Sequence, residues 1–466
     1  MDFLGDDERA LVNKLESDLS SYQSANVEHE RYYDGTFQPR MLGIGLPENA
    51  RNLKMVVGWP ATAVDVLEER LDVTGWQDSD LDDCFHDNAL AVEASQVHTD
   101  ALVYGCSFVS VTAGSEDEPE QLVRGHAATQ TTGLLNSRTG LLDAAISIRG
   151  GDNGREFLTL WTSEEIVETT RAGGGAWEVI DRTRHGLGRV PMVAFVNRPR
   201  VGNRRGQSEI TAAVRRYTDS AVRALLAMDV NREFFSAPQR YIVGASEDQF
   251  VDAAGRPRNP WEIVTGRVWA IGPSDEGEEQ PKLGQFDPMS PGPYLDQVKG
   301  LALQFAAEAG IPPMYLGVAT DQAASADAIR AMEARLVKRA ERRQVQFGRS
   351  WAEVARLVRA GRDGVSAREA EASAAKWREA STPTLAATAD AMMKLVQTNI
   401  VPASSSVVLD RLGFDPQEQA LIRNESAREQ AGSRLAQLKE LAQSASGEAV
   451  EAARQSRAVG DSDGDE

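Results

Sequence analysis

Cys84, His86, His98 and Cys106 are the residue types that hold zinc, and they lie close together along the chain. A shared ion would need its ligands at ~2 Å. The apolar periodicity predicts one helix from about Ser79 to Tyr104, which sets His86 and His98 about 18 Å apart along its axis. No metal is expected there. The run DSDLDDCFHDNA alternates Asp78, Asp80 and Asp82 as a calcium loop begins. Asp83 then stands where that loop needs glycine, and Ala89 where it needs a bidentate glutamate. These carboxylates suit a helix N-terminus instead, where the dipole favours negative charge. Cys84 and Cys106 are compatible with a reducing compartment and form no disulfide framework. The sequence assigns them no role.

Other chemistry is equally thin. No glycine-rich turn ends in Gly-Lys-Ser/Thr, and neither HExxH nor GxSxG occurs. Abundant acids permit a carboxylate pair in some cleft, but no motif singles one out. Asn424-Glu425-Ser426 is a glycosylation sequon by pattern only. The expectation is a protein that is not an enzyme and carries no cofactor.

Charge is more informative. The 466 residues carry 50 basic and 70 acidic side chains, a net of −20, so the chain as a whole repels nucleic acid. No apolar run approaches the ~20 residues of a membrane span. MDFLGDDERALV lacks the basic-then-apolar order of a signal peptide, which points to the cytoplasm. Against this acidity, residues 330–362 hold ten Arg or Lys and three Glu. Such a helix is either a solvated amphipathic face or a surface for an acidic partner, another subunit or a nucleic-acid backbone.

The elements around these residues can be read in order. Leu11, Leu15, Leu19 and Tyr22 mark a helix over 6–35, and Val64, Leu67 and Leu71 a short one after Pro60. From Gly105 the chain turns to β-type runs with an acidic loop, EDEPE, at 116–120. A long helix follows from about Gln207 to Ser236, its stripe running Ile210, Val214, Tyr217, Ala221, Leu225, Met228. A small β-rich insert spans 240–287, and a helix restarts near Pro293 and ends at Gly310-Ile311-Pro312-Pro313. A slack polar segment leads to a helix over 326–360, with Ile329, Met332, Leu336, Ala340, Phe347, Trp351, Val354 and Val358 on its buried side. Gly348 marks a possible kink. Helices at 384–397 and 416–444 precede an acidic tail. The fold class is α+β, mainly helical.

Several stretches, in order, resemble the portal proteins of tailed bacteriophages, in particular the family of siphophages infecting Gram-positive hosts. They are YYDGTFQPRMLG, GLGRVPMVAFVNRPRVGNRRGQSEITAAVRRYTDSAVRALL, FFSAPQRYIVGA, FAAEAGIPPMYLG and WREASTPTLAATADAMMKLVQTNIV. The resemblance implies a portal fold: a wing from 1–204 with 327–380, stem helices at 205–237 and 290–310 flanking a clip at 238–289. It further implies a tunnel loop at 311–326, a crown at 381–445 and a flexible acidic tail at 446–466. It implies a homo-oligomeric ring of twelve copies at one capsid vertex, assembled in the host cytoplasm, through which double-stranded DNA is packaged and ejected. The terminase large subunit, the major capsid protein and a head-completion or adaptor protein would be its partners, with no membrane.

Twelve copies of −20 amount to −240, and an acidic wall that repels phosphate lets a duplex slide. The tunnel-loop residues Val318, Ala319, Thr320, Asp321, Gln322, Ala323, Ala324 and Ser325 are small, with one carboxylate, which suits a constriction that follows DNA. Lys299 is the expected positive point facing the channel. A ring closed head to tail needs two different faces, and Arg335, Lys338, Arg342 and Arg343 are the expected contacts to a neighbour. The alternative is a non-viral helical scaffold that binds nucleic acid through 330–362.

Overall fold

The structure is a computed structural model. It describes residues 2–39, 54–151, 154–235, 240–243, 282–285, 290–318, 326–381, 385–414, 417–429, 431–434 and 436–437. Among them helix outweighs strand, and the chain divides into two compact units, Met1–Ala380 and Ser381–Glu466.

In the first unit, α1 (Asp6–Tyr33) starts with Asp6, Asp7 and Glu8 against its positive end. Strands β1 (Asp2–Phe3), β5 (Thr131–Leu135), β6 (Leu142–Gly150), β7 (Arg155–Trp161), β8 (Glu165–Ala172) and β9 (Glu178–Arg184) form an antiparallel sheet in the order β1-β9-β8-β7-β6-β5. Period-two alternation decides what each face meets. Ile146, Leu158 and Leu160 turn towards Val12 and Leu15 of α1. Ala145 and Trp161 turn the other way, onto Phe108 and Met192. Those two belong to a second antiparallel sheet, β10-β3-β4, of Met192–Val196, Cys106–Ala113 and Gln121–Ala127.

The main core joins this second sheet to α2 (Trp59–Glu68), α4 (Leu90–Tyr104) and the helix α7 (Ala326–Asp363). Its centre is aromatic: Trp76 of β2 (Val73–Trp76) donates its indole N–H to the Trp351 carbonyl at 3.1 Å, and Trp351 packs edge-on to Phe195. Strand β13 (Ala375–Trp377) pairs with β2. α7 runs unbroken through Gly348, and the expected kink gives way to a packing reason. A Cβ there would lie 3.2 Å from the Trp377 indole nitrogen, so the glycine admits the ring.

Two further expectations are corrected. The single helix over 79–104 is a 3-10 turn at Ser79–Leu81, then α3 (Asp82–Asp87), then α4. The break falls at Asn88-Ala89, where Ala89 is left-handed (φ 48°). The buried Asn88 amide donates to the carbonyls of Cys84 and Gln121 (both 2.9 Å), and its Oδ1 accepts from Val123 N–H (2.8 Å). A side chain that satisfies three backbone groups outweighs helix continuity. The long helix expected from Gln207 begins at Ala212, as α5 (Ala212–Phe235), because Glu209 N–H is drawn to the Leu102 carbonyl at 2.9 Å.

At 24 residues α5 is about 36 Å long. It packs along α6 (Gly292–Ala309), which ends at Gly310 in the left-handed conformation favoured by glycine at a helix end. Between these helices in sequence, β11 (Arg240–Val243) pairs antiparallel with β12 (Lys282–Gln285). The rest of the 238–289 insert lies outside the described residues. The second unit contains α8 (Leu385–Gln397) and α9 (Ser406–Arg411), whose Ser405 caps the Val407 N–H. Residues 417–429 are helical. The tail expected at 446–466 lies outside the described residues.

Candidate functional site

No group of three or more His, Cys, Asp and Glu comes together as a metal site among the described residues. His86 lies exposed on α3, apart from His98 on α4, and Cys84, His98 and Cys106 are taken up in packing. His98 is fully buried, stacks on Phe347 at 5.1 Å and accepts the Trp351 indole N–H at 2.9 Å. Burial lowers its pKa to about 3, which keeps the ring neutral. Burial pushes the Cys84 thiol up to about 11 and raises that of Cys106, so neither favours the reactive thiolate.

The carboxylates of the DSDLDD run meet cations. Asp80 takes Arg359 at 2.7 Å and Arg362 at 3.0 Å, and Asp78 takes Arg359 at 2.8 Å. Hydrogen bonding from Arg359 holds the Asp80 carboxyl down at about 2. The acids therefore fasten the C-terminal end of α7 to the turn ahead of α3.

The buried centre of charge is Glu209, at the turn that opens α5. Its Oε1 accepts from Arg343 (2.5 Å) and the Asn197 amide (3.0 Å), and its Oε2 from Arg339 (2.6 Å). Glu209, Arg343 and Asn197 are 5%, 6% and 0% exposed. The backbone is just as close: Asn197 N–H donates to the Gly105 carbonyl, and Gln207 N–H to the Asn197 carbonyl, each at 2.8 Å. A Cβ on Gly206 (φ +93°) would collide with both those carbonyl oxygens, so only glycine fits. Burial alone would raise the Glu209 pKa, but the guanidiniums of Arg339 and Arg343 outweigh it and the net direction is down. Two buried cations, with Arg198 as a third at 3.5 Å, share one anion and leave Arg339 short of compensation; burial, then Arg343 and Arg198, lower its pKa as well. One carboxylate thus ties the foot of α5, the end of β10 and the middle of α7 into a rigid joint.

A second tie holds the flanks of the expected tunnel loop. Tyr315, in the 3-10 turn Pro313–Leu316, donates its hydroxyl to Glu333 Oε1 of α7 at 2.6 Å. Arg70 donates to the same oxygen at 3.1 Å and to the Ala380 carbonyl at 2.8 Å. Of the loop residues themselves Val318 is described and half-buried. Ala319, Thr320, Asp321, Gln322, Ala323, Ala324 and Ser325 lie outside the described residues. Lys299 is exposed on α6 and has no partner among the described residues.

The four cations expected at a neighbour separate. Arg343 is corrected to an interior position: it sits in the buried stripe between Ala340 and Phe347 and is taken up by its own chain. Arg335 donates to the Ala307 carbonyl at 2.7 Å, capping the end of α6, and Lys338 pairs with Glu341 at 2.7 Å. Arg342 is exposed with no partner among the described residues. Elsewhere on α7, Arg356 and Arg189 share Glu353, and Arg349 donates to the Thr139 carbonyl at 3.1 Å. The basic helix is in large part an internal brace. Sequence reasoning missed Glu209 altogether; the signal for its partner was available, because Arg343 falls on the apolar stripe at spacings of three and four.

A family model, phage portal protein of the SPP1 Gp6-like type, matches residues 13–432. The portal protein of Mycobacterium phage L5 is 31% identical over 396 residues, covering 81% of this chain and 80% of that protein. The portal protein of Mycobacterium phage D29 is 32% identical with the same coverage. Among solved structures, the neck of a native gene transfer agent particle computed with C12 symmetry aligns at 16% identity and a TM-score of 0.45. That alignment covers 77% of this chain and 90% of that one.

Proposed function

The chain belongs to the SPP1 Gp6-like phage portal protein family, structural proteins of the phage particle, and from that premise we propose that twelve copies close into a ring around a DNA channel. The observation that carries the reading is the packed pair α5 and α6, joined in sequence through the β11–β12 ladder. Two long helices with a small β-element between them suit a stem that carries a clip. The first unit, outside these helices, is the wing, and the division at Ala380/Ser381 supports reading 381–445 as the crown.

In this assembly double-stranded DNA passes without sequence preference during packaging and ejection. The ring would sit at one capsid vertex after assembly in the host cytoplasm. It would dock the terminase large subunit, the major capsid protein and a head-completion or adaptor protein. The stretch Val318 to Ser325 is the constriction, carried on flanks that Arg70, Tyr315 and Glu333 hold at a fixed separation. Lys299 is the sparse positive point on the channel wall, where a mobile ammonium attracts phosphate briefly without gripping it. The scaffold alternative needs the cations of 330–362 in solvent, whereas Arg339 and Arg343 are consumed inside the chain.

Sizing by light scattering is the direct test. Twelve chains of 50.6 kDa give a particle of about 607 kDa, visible as a ring in negative stain. A chain that stays monomeric at every concentration would sink the reading. For Lys299, a Lys299→Ala ring is expected to change packaging speed or DNA retention; unchanged values for both remove it from the channel wall.

A further inference from the structure

Resting on the ring reading above, we propose that the outward side of α7 is the ring-closing face, and that it seats the acidic β3–β4 loop of a second copy. Lys338, Arg342, Val345 and Arg349 follow one another at spacings of four, three and four, which aligns them on one side of the helix. All four are exposed, Val345 to 78%. The loop after β10 adds the exposed Arg200 and Arg204, while Arg198 beside them already reaches Glu209 at 3.5 Å. This loop lies against this part of α7, because Gln346 donates to the Val196 carbonyl at 2.6 Å. Arg204 and Arg349 border a cleft of about 510 Å³ whose walls include Leu135, Met192 and Pro199. In a chain of net −20 this is a concentrated positive patch beside a cleft of mixed polar and apolar walls.

The complementary feature is the loop Glu116-Asp117-Glu118-Pro119-Glu120, four carboxylates in five residues, exposed but for a half-buried Pro119. It is held in shape. Gly114 N–H donates to the Glu120 carbonyl at 3.1 Å, and Glu118 Oε2 accepts from the backbone and hydroxyl of Ser115, each at 3.0 Å. The loop stands at the C-terminal end of α7 and the patch at its middle. Gln121, where the loop ends, abuts Gly361. The patch centres on Arg342, nineteen residues earlier, about 28 Å along the helix. Head-to-tail closure needs unlike, complementary patches on separated parts of one subunit, and this pair meets the requirement. A DNA backbone would use the cations but has no use for Val345 or for Val201 at 92% exposure, and the Glu353 carboxylate in the cleft wall would repel it.

Two full-length variants test the pairing. In the first, Arg342→Glu and Arg204→Glu reverse the patch; in the second, Glu116→Lys and Asp117→Lys reverse the loop. Each variant alone is expected to lose ring-sized particles at least tenfold while its subunit keeps the circular-dichroism spectrum of the folded chain, because every substituted residue is exposed. Mixed in equal amounts they are expected to recover rings, since in an alternating ring reversed patch meets reversed loop and native patch meets native loop. Normal assembly by either variant alone overturns the proposal, as does a mixture that fails to recover. So does salt-sensitive duplex binding by the unmodified protein that the first variant abolishes while still forming rings. A monomeric unmodified chain would instead bring down the ring reading itself, and this pairing with it.

Discussion

On the inward side of α7, Arg339 and Arg343 have given up water to share the carboxylate of Glu209. One residue away on the outward side, Lys338 and Arg342 keep theirs. The residue types are nearly the same, but the physics is not. A cation taken out of water is held only while its anion and hydrogen bonds remain, so the inward group is rigid and intolerant of loss. An exposed cation is screened and contributes about 0–1 kcal/mol to folding, so the outward group is available to a partner. The same helix therefore fixes the subunit with one side and offers its charge with the other.

Glu209→Leu should have the largest effect. It leaves two buried guanidiniums without an anion, and the loss expected from such stranding is about 3–5 kcal/mol. Urea unfolding would measure it. A loss below about 1 kcal/mol would mean that the joint is held by its backbone bonds and glycines rather than by charge.

Asp100 on α4 is the converse case, a half-buried acid with no cation partner among the described residues. Burial, then the nearby Glu30, raise its pKa to about 6 from an ordinary 3.8. Because the folded state holds the proton more tightly, this group's contribution to stability is full below about pH 4 and is lost as pH rises through about 6. Asp100→Asn should therefore stabilise the fold at pH 7–8 by about 2–3 kcal/mol and do little near pH 4. Melting curves across that range check the sign. Equal shifts at both ends would remove ionisation as the cause.

Arg343→Met comes next, at about 2 kcal/mol lost, the worth of a hydrogen-bonded charge when Arg339 still neutralises Glu209. Denaturant midpoints for Arg343→Met and Glu209→Leu, taken together, separate the loss of one cation from the stranding of two. If the smaller change costs as much as the larger, Arg339 is not a sufficient partner alone.

Much of this contrast was legible before any coordinates. Periodicity located α1, α2, α5, α6 and α7 because each must bury one apolar stripe. Alternation located the β-rich part of the first unit for the same reason. What escaped were decisions made by single polar residues acting across the chain. The Asn88 side chain breaks a helix by satisfying groups on β4, and Glu209 delays α5 by its backbone N–H, drawn to α4, while its carboxylate takes up arginines of α7. Neither leaves a periodic trace. Arg343 did leave one, at spacings of three and four from Ala340 and Phe347, but its charge argued for the surface. Where pattern and polarity conflict on a long helix, a partner of opposite charge elsewhere in the chain decides, and Glu209 has no motif to announce it.

The smallest expected effect is the sharpest test of the outward side. Arg342→Ala removes an exposed cation with no partner among the described residues, so folding stability should change by no more than about 0.5 kcal/mol. Its neighbour in sequence, Arg343, should cost several times more under the same denaturant series. A destabilisation above about 1 kcal/mol at Arg342 would show that the outward side is already committed within the subunit, and would leave the ring-closing face without its central charge. A silent change in folding joined to weaker assembly would have the opposite meaning. The energy of that side chain would then be realised only between copies, and adjacent arginines would divide the work of holding one subunit and joining two.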